Sequence, residues 1–177
     1  MRRRGCAEST LNSGRALNGI GLLICLGLLG YAWFAQTVLG LEPCPLCIFQ
    51  RVGVAACGLL FLLATVQNPG RVAGRVYGVL LLLAAALTLG VAARHLWIQH
   101  LPEGAVPACG ASLNYMLEVF PLTDVIRKVL TGSGECARVT WRFLALSMPG
   151  WVLIAAVGLG ALGAVANFSR RSRQQLA

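Results

Sequence analysis

Residues 16–51 read ALNGIGLLICLGLLGYAWFAQTVLGL, then EPCPLC, then IFQR. The first block, Ala16 to Leu41, contains no charged side chain. A helix needs about 20 apolar residues to cross the ~30 Å hydrocarbon layer of a bilayer, and this block exceeds that. Its Leu, Ala, Val and Gly lack the alternation of a strand, so it predicts a membrane-spanning helix. After a short turn with two cysteines the apolar character resumes at Ile48 and runs to Val66, interrupted only by Gln50 and Arg51. Two further charge-free runs follow, Val76–Ala93 and Phe143–Ser169. In lipid, only a helix or a closed barrel satisfies its own backbone groups. The expected fold class is therefore an all-α membrane protein, a four-transmembrane-helix bundle. Its spans fall at about 16–41, 48–66, 76–97 and 147–168, in a single membrane domain over 1–177.

Composition agrees with this reading. Of 177 residues, 57% are hydrophobic and 12% charged, where a soluble domain carries about 25% charged residues. A soluble enzyme, a disordered tail and a small secreted disulfide knot all fit poorly. The basic head Met1-Arg2-Arg3-Arg4 resembles that of a signal peptide. The apolar block behind it is much longer than the roughly 7–15 residues of a cleaved leader, so the first helix is expected to stay.

The net charge of +9 would suggest a nucleic-acid partner if the bases were clustered on one face. Instead, Arg2, Arg3, Arg4 and Arg15 precede the first helix, Arg71 and Arg75 separate the second and third, and Arg170, Arg171 and Arg173 follow the fourth. Four crossings put these three regions on one side, and the positive-inside rule makes that side the cytoplasm. Both termini and the 67–75 loop are then cytoplasmic, while loops 42–47 and 98–146 face outward. In the long outer loop Glu103, Glu118, Asp124 and Glu135 balance Arg127, Lys128, Arg138 and Arg142. The basic excess is an orientation signal, and no nucleic acid is expected.

This map sorts the seven cysteines. Cys6, Cys25 and Cys57 fall on the cytoplasmic tail or inside helices and read as small packing residues. Cys44 and Cys47 occupy the first outer turn, and Cys109 and Cys136 the second outer loop. Four outward cysteines admit static disulfides, a zinc site or redox exchange. A Cys-x-x-Cys closes a very short ring and staples little chain entropy, and the other two cysteines are too far apart in sequence for an ordinary zinc ribbon. Residues beside Cys47 favour redox. Cys47 opens the second helix, whose free N–H groups and positive end face the sulfur, and Arg51 lies one turn on. Both favour a reactive thiolate, although Arg51 also has the plain reading of a snorkelling interfacial arginine. His95, near the outer end of the third helix, is suited to hold a proton or bond a carbonyl ligand, or else is an ordinary interfacial residue. His100 takes no role. In the outer loop, Thr123–Leu130 has the pattern of a short amphipathic helix, lying either on membrane lipid or on protein.

The stretch Cys44-Pro45-Leu46-Cys47-Ile48-Phe49-Gln50-Arg51 resembles the DsbB family, inner-membrane oxidases that pass electrons from a periplasmic dithiol oxidase to quinone. Gly134-Glu135-Cys136-Ala137, Trp141 and Met148-Pro149 are also similar to that family, and the likeness extends over nearly the whole chain. It implies a quinone-dependent protein-disulfide oxidoreductase with catalytic Cys44, Cys47, Cys109 and Cys136 and no metal. A reduced thioredoxin-like DsbA partner would attack a Cys109–Cys136 disulfide through Cys109. Cys136 would then engage Cys44 and free Cys47 beside the quinone, ubiquinone or menaquinone. Arg51 and His95 match the family's quinone-proximal arginine and histidine. Gln50 stands where some relatives carry an acid. The vitamin K epoxide reductase-like family shares this chemistry, but there the loop pair precedes the Cys-x-x-Cys. A non-catalytic scaffold with static disulfides is the alternative from another class.

Overall fold

Long apolar helices form where the charge-free runs lie. In this computed structural model the described residues are 3–102, 118–132, 134–137, 139 and 141–169, with residues 3–13, 128, 130, 134 and 135 described by backbone only. The elements in chain order are α1 (Arg3–Thr37), α2 (Pro45–Gln67), α3 (Arg71–Gln99), α4 (Leu122–Thr131), α5 (Gly134–Ala137), the strands β1 (Arg142–Phe143) and β2 (Leu146–Ser147), and α6 (Met148–Phe168). Segments Gly14–Thr37, Pro45–Gln67, Arg71–Gln99 and Met148–Phe168 are each long and apolar enough to cross a membrane, so the chain is an all-α, four-span membrane protein.

The helices pack as a ring. α1 lies on α2, α2 on α3, α3 on α6, and α6 returns to α1. The centre is filled by Cys25, Val54, Cys57, Phe61, Leu81, Ala85 and Leu159. Large apolar side chains also cover the outside, among them Leu23, Val52, Leu87 and Val157. In water, so large an apolar surface would drive association; in lipid it is the expected exterior. Small residues let the helices approach closely. A Cβ on Gly21 would stand 2.6 Å from Phe61 Cε1, and one on Gly53 would collide with Thr88 Oγ1.

At the end of the bundle remote from the Cys-x-x-Cys turn, α1 and α6 are joined by a buried amide pair. Asn167 Nδ2 donates to Asn18 Oδ1 at 3.1 Å and to Gly163 O at 2.9 Å. The pair is completed by Asn18 Nδ2 donating to Asn167 Oδ1 at 3.4 Å. Polar groups in a membrane interior need such partners, because hydrocarbon supplies none.

The charge-free run continues to Leu41, yet α1 stops at Thr37, and Gly40 takes a positive φ of 64° in the turn that follows. α2 starts at Pro45, whose missing N–H and fixed φ suit the first helical position. The amphipathic helix is present as α4. Of the two settings open to it, packing on protein is what Val125 and Val129 adopt, buried in one cluster with Leu46, Ile98 and Cys136, while Leu122 and Ile126 stay exposed. An addition to the helical fold is the hairpin β1–β2, in which Arg142 pairs with Ser147 and Phe143 with Leu146. Its turn residues Leu144 and Ala145 both have positive φ, 49° and 65°, a conformation that normally selects Asn or Gly. Arg170, Arg171 and Arg173 lie outside the described residues, as do Glu103 and Arg138.

Candidate functional site

The Cys-x-x-Cys turn is built by the start of α2. Cys44 is the N-cap, extended at φ −65° and ψ 162°, and its sulfur accepts from the Cys47 backbone N–H at 3.4 Å. That contact holds both thiols on one side of the turn, with Cys44 Sγ and Cys47 Sγ 3.1 Å apart. Cys44 is buried and Cys47 half-buried.

His95 reaches this pair from the last turns of α3. Its Nε2 lies 3.8 Å from Cys44 Sγ and its Nδ1 4.0 Å from Cys47 Sγ. The ring is only 3% exposed, so both nitrogens need partners. Gln50, one turn into α2, sets Nε2 at 3.1 Å from His95 Nδ1. With the amide nitrogen donating there, the neutral ring carries its proton on Nε2. That N–H points to the carbonyl oxygen of Cys136, 3.2 Å away. Gln50 therefore selects the histidine tautomer, and the histidine ties α5 to the end of the bundle. As a result Cys136, buried to 1% exposure, joins the site. The ligating atoms of Cys44, His95 and Cys136 all lie within 4.8 Å of one another.

Arg51 lies on the same helix but turns toward α1. Its Nη1 donates to Gln36 Oε1 at 2.5 Å and its Nη2 to Ala32 O at 3.0 Å. The guanidinium is thus fixed by α1 at the wall of a cavity that Cys47 also borders. The cavity measures about 730 Å³ and is lined by Cys44, Cys47, Gln50, Arg51 and His95 on one side. Its other walls include Tyr31, Trp141, Phe143 and Trp151. These rings form a chain with centroids 6.0 Å apart from Tyr31 to Trp141, from Trp141 to Phe143, stacked at 20°, and from Phe143 to Trp151. Trp151 Nε1 donates to Phe143 O at 3.2 Å and ties the hairpin to α6. A largely apolar hollow with a few convergent polar groups is the usual form of a small-molecule site.

The structure therefore gathers Cys44, Cys47, Arg51, His95 and Cys136 at one end of the bundle, whereas Cys109 lies outside the described residues. Cys25 and Cys57 are buried in the bundle core, away from the site. Two features were not evident from sequence. Gln50 stands out in the sequence only as a neutral residue where some relatives carry an acid, although its contact is with His95. Tyr31 carried no signal at all, being one aromatic among many in an apolar run.

Thiols gathered beside a hollow at the end of a membrane bundle are equipment for electron exchange, and they define the class of membrane thiol–disulfide oxidoreductases. Within that class the profile of the family Disulfide bond formation protein DsbB matches residues 14–166. The chain belongs to the DsbB family and is a disulfide-forming oxidoreductase. Similar proteins include the Disulfide bond formation protein B of Marinobacter nauticus, 50% identical over 142 residues that cover 80% of this chain and 84% of the relative. That of Xanthomonas euvesicatoria pv. vesicatoria is 48% identical over 160 residues, covering 90% and 93%. The protein of the same name from Chromobacterium violaceum is 52% identical over 135 residues, covering 76% and 81%.

Proposed function

We propose that this protein re-oxidises a DsbA-like dithiol oxidase of the periplasm and delivers the electrons to membrane quinone. The observation that carries this reading is the position of the Cys44–Cys47 pair, with Cys44 Sγ within 4.8 Å of the Cys136 sulfur and both cysteines lining an apolar, aromatic-walled cavity. On this reading the whole chain is one membrane domain in the bacterial inner membrane, with both termini cytoplasmic, in line with the distribution of Lys and Arg.

The donor set fits a quinone. A flat, apolar ring with two carbonyl oxygens asks for aromatic walls and a few hydrogen-bond donors, and the cavity has both. Tyr31, Trp141, Phe143 and Trp151 would hold the ring, with Arg51, Gln50 and His95 as the polar groups within reach. When bound, quinone supplies a two-electron, two-proton acceptor.

The protein's own steps are thiol–disulfide exchanges, each conserving electrons. A thiolate of the reduced partner attacks Cys109 of a Cys109–Cys136 disulfide, forming a mixed disulfide and releasing Cys136 as a thiolate. The partner's second thiolate then resolves the mixed disulfide, leaving the partner oxidised and Cys109 reduced. Cys136 attacks Cys44 of a Cys44–Cys47 disulfide, and Cys47 leaves as a thiolate at the cavity wall. Cys109 closes on Cys136 and frees Cys44, so the loop disulfide is restored and the Cys44–Cys47 pair holds the two electrons. His95 holds α5 by the Cys136 carbonyl and so keeps the attacking sulfur beside Cys44. Arg51, anchored to α1, sets a fixed positive charge at the cavity rim.

The test uses purified protein in detergent with a soluble quinone and reduced DsbA, following quinone absorbance. Wild type should turn over, and Cys47→Ser and Cys109→Ser should both lose quinone reduction. If wild type consumed no quinone, or both serine variants matched it, a scaffold with static disulfides would be the better account.

A further inference from the structure

Thiols and an imidazole so placed have a second capacity that electron relay does not use. We propose that the fully reduced protein binds one zinc ion through Cys44 Sγ, His95 Nε2 and Cys136 Sγ. Zinc takes thiolate sulfur at about 2.3 Å and imidazole nitrogen at about 2.0 Å in a tetrahedron, which separates neighbouring donors by roughly 3.5–3.8 Å. His95 Nε2 already lies 3.8 Å from Cys44 Sγ, and all three donors lie within 4.8 Å of one another. Small rotations of the side chains close the remaining gap. The three residues come from three elements, the N-cap of α2, the end of α3 and α5, so the site exists only in the folded bundle.

Two neighbours complete the environment. Cys47 Sγ, 3.1 Å from Cys44 Sγ, stands ready as fourth ligand, with solvent from the cavity as the alternative. Gln50 supplies the outer support that a ligating histidine requires. A half-turn of its amide brings Oε1 to His95 Nδ1, 3.1 Å from the present nitrogen. The ring proton then sits on Nδ1 and is donated to that carbonyl, while Nε2 gives up its bond to the Cys136 carbonyl and is left bare for the metal. Each ligating thiol gives up one proton on binding, and no electrons move.

The inference stands apart from the quinone-linked reading, since binding needs neither partner nor quinone. It has a redox condition: a disulfide at Cys44–Cys47 or at Cys136 removes a ligand, so the oxidised protein has no site. Zinc held on Cys44 and Cys136 takes both sulfurs out of exchange, which would stall any thiol relay in its reduced state.

The experiment uses the full chain in detergent, without quinone. One portion is reduced with a phosphine that is then removed, and another is oxidised. Both are equilibrated with zinc, desalted and assayed for bound metal; cobalt(II) serves in parallel as a spectroscopic probe. The expected result is one zinc per reduced chain and essentially none on the oxidised chain. Cobalt should give thiolate charge-transfer absorption and the intense visible bands of a tetrahedral site. Cys44→Ser and Cys136→Ser should each weaken binding at least tenfold, while Cys25→Ala, in the bundle core, should leave it unchanged. Two serine variants made at different elements guard against one failing to fold. No retained zinc on the reduced chain would overturn the proposal. So would equal retention by the oxidised chain, or undiminished binding in both serine variants, which would mark an adventitious ion only.

Discussion

Replacing His95 by leucine keeps the side-chain volume close to that of histidine and removes both ring nitrogens. The Cys136 carbonyl then loses the bond now 3.2 Å long that ties α5 to α3. A net hydrogen bond of this kind contributes about 0.5–1.5 kcal/mol. That corresponds to a roughly two- to twelvefold fall in the effective concentration of Cys136 at Cys44. The Gln50 amide, 3% exposed, also loses its partner, so overall stability should fall by a further amount of about 1–3 kcal/mol. The two effects separate in a background where Cys47 and Cys109 are alanine. There, Cys44 and Cys136 have each other as disulfide partner, and the equilibrium against a glutathione buffer reads their effective concentration directly. His95→Leu should lower that value severalfold, and His95→Gln, which retains a side-chain donor, should recover part of it. An unchanged value in a leucine variant that retains its helical circular dichroism would refute the idea that this histidine positions the cysteine.

Elsewhere the packing makes its own predictions. Gly53→Ala drives a Cβ into Thr88 Oγ1, and overpacking of this kind costs about 1–3 kcal/mol. Detergent-resistance titration with dodecyl sulfate should show the loss, and adding Thr88→Ala should restore most of it. Asn167→Leu strands the buried Asn18 amide. Interhelical hydrogen bonds in membranes are worth about 0.6 kcal/mol on average, so the same titration should show a destabilisation of that order or somewhat more. Ala145→Gly should stabilise the hairpin by roughly 0.5–1 kcal/mol, since glycine takes positive φ without strain while loosening the unfolded chain. A longer thermal half-life in mild detergent would register it, and a shorter one would count against the strained turn.

Much of this architecture is local in origin. Gly53 and Thr88 lie inside apolar runs long enough to demand helices whatever they pack against, because the bilayer supplies the driving force and dictates the length. The spacing of Cys44, Cys47 and Arg51 is equally local: a helix that starts at Pro45 carries the second cysteine within its first turn and the arginine one turn below. Even so, what Arg51 touches did not follow from its position. Its bonds run to Gln36 and Ala32 on the preceding helix, and only the crossing of α1 and α2 decides that. The hairpin gave no warning, because each strand has two residues and its turn reads Leu-Ala where Asn-Gly would be the signal.

Apolar length, charge placement and the short spacing of Cys44 and Cys47 were enough to determine four membrane helices, their sidedness as an expectation, and a sulfur chemistry at one end. Those properties depend on neighbours along the chain and on the solvent. The pairing of Gln50 with His95, the tether from His95 to Cys136 and the wall formed by Tyr31, Trp141, Phe143 and Trp151 were decided by tertiary structure alone. They join residues from different helices and loops whose meeting depends on how close the small residues allow those helices to approach. No periodicity in a single segment encodes that distance.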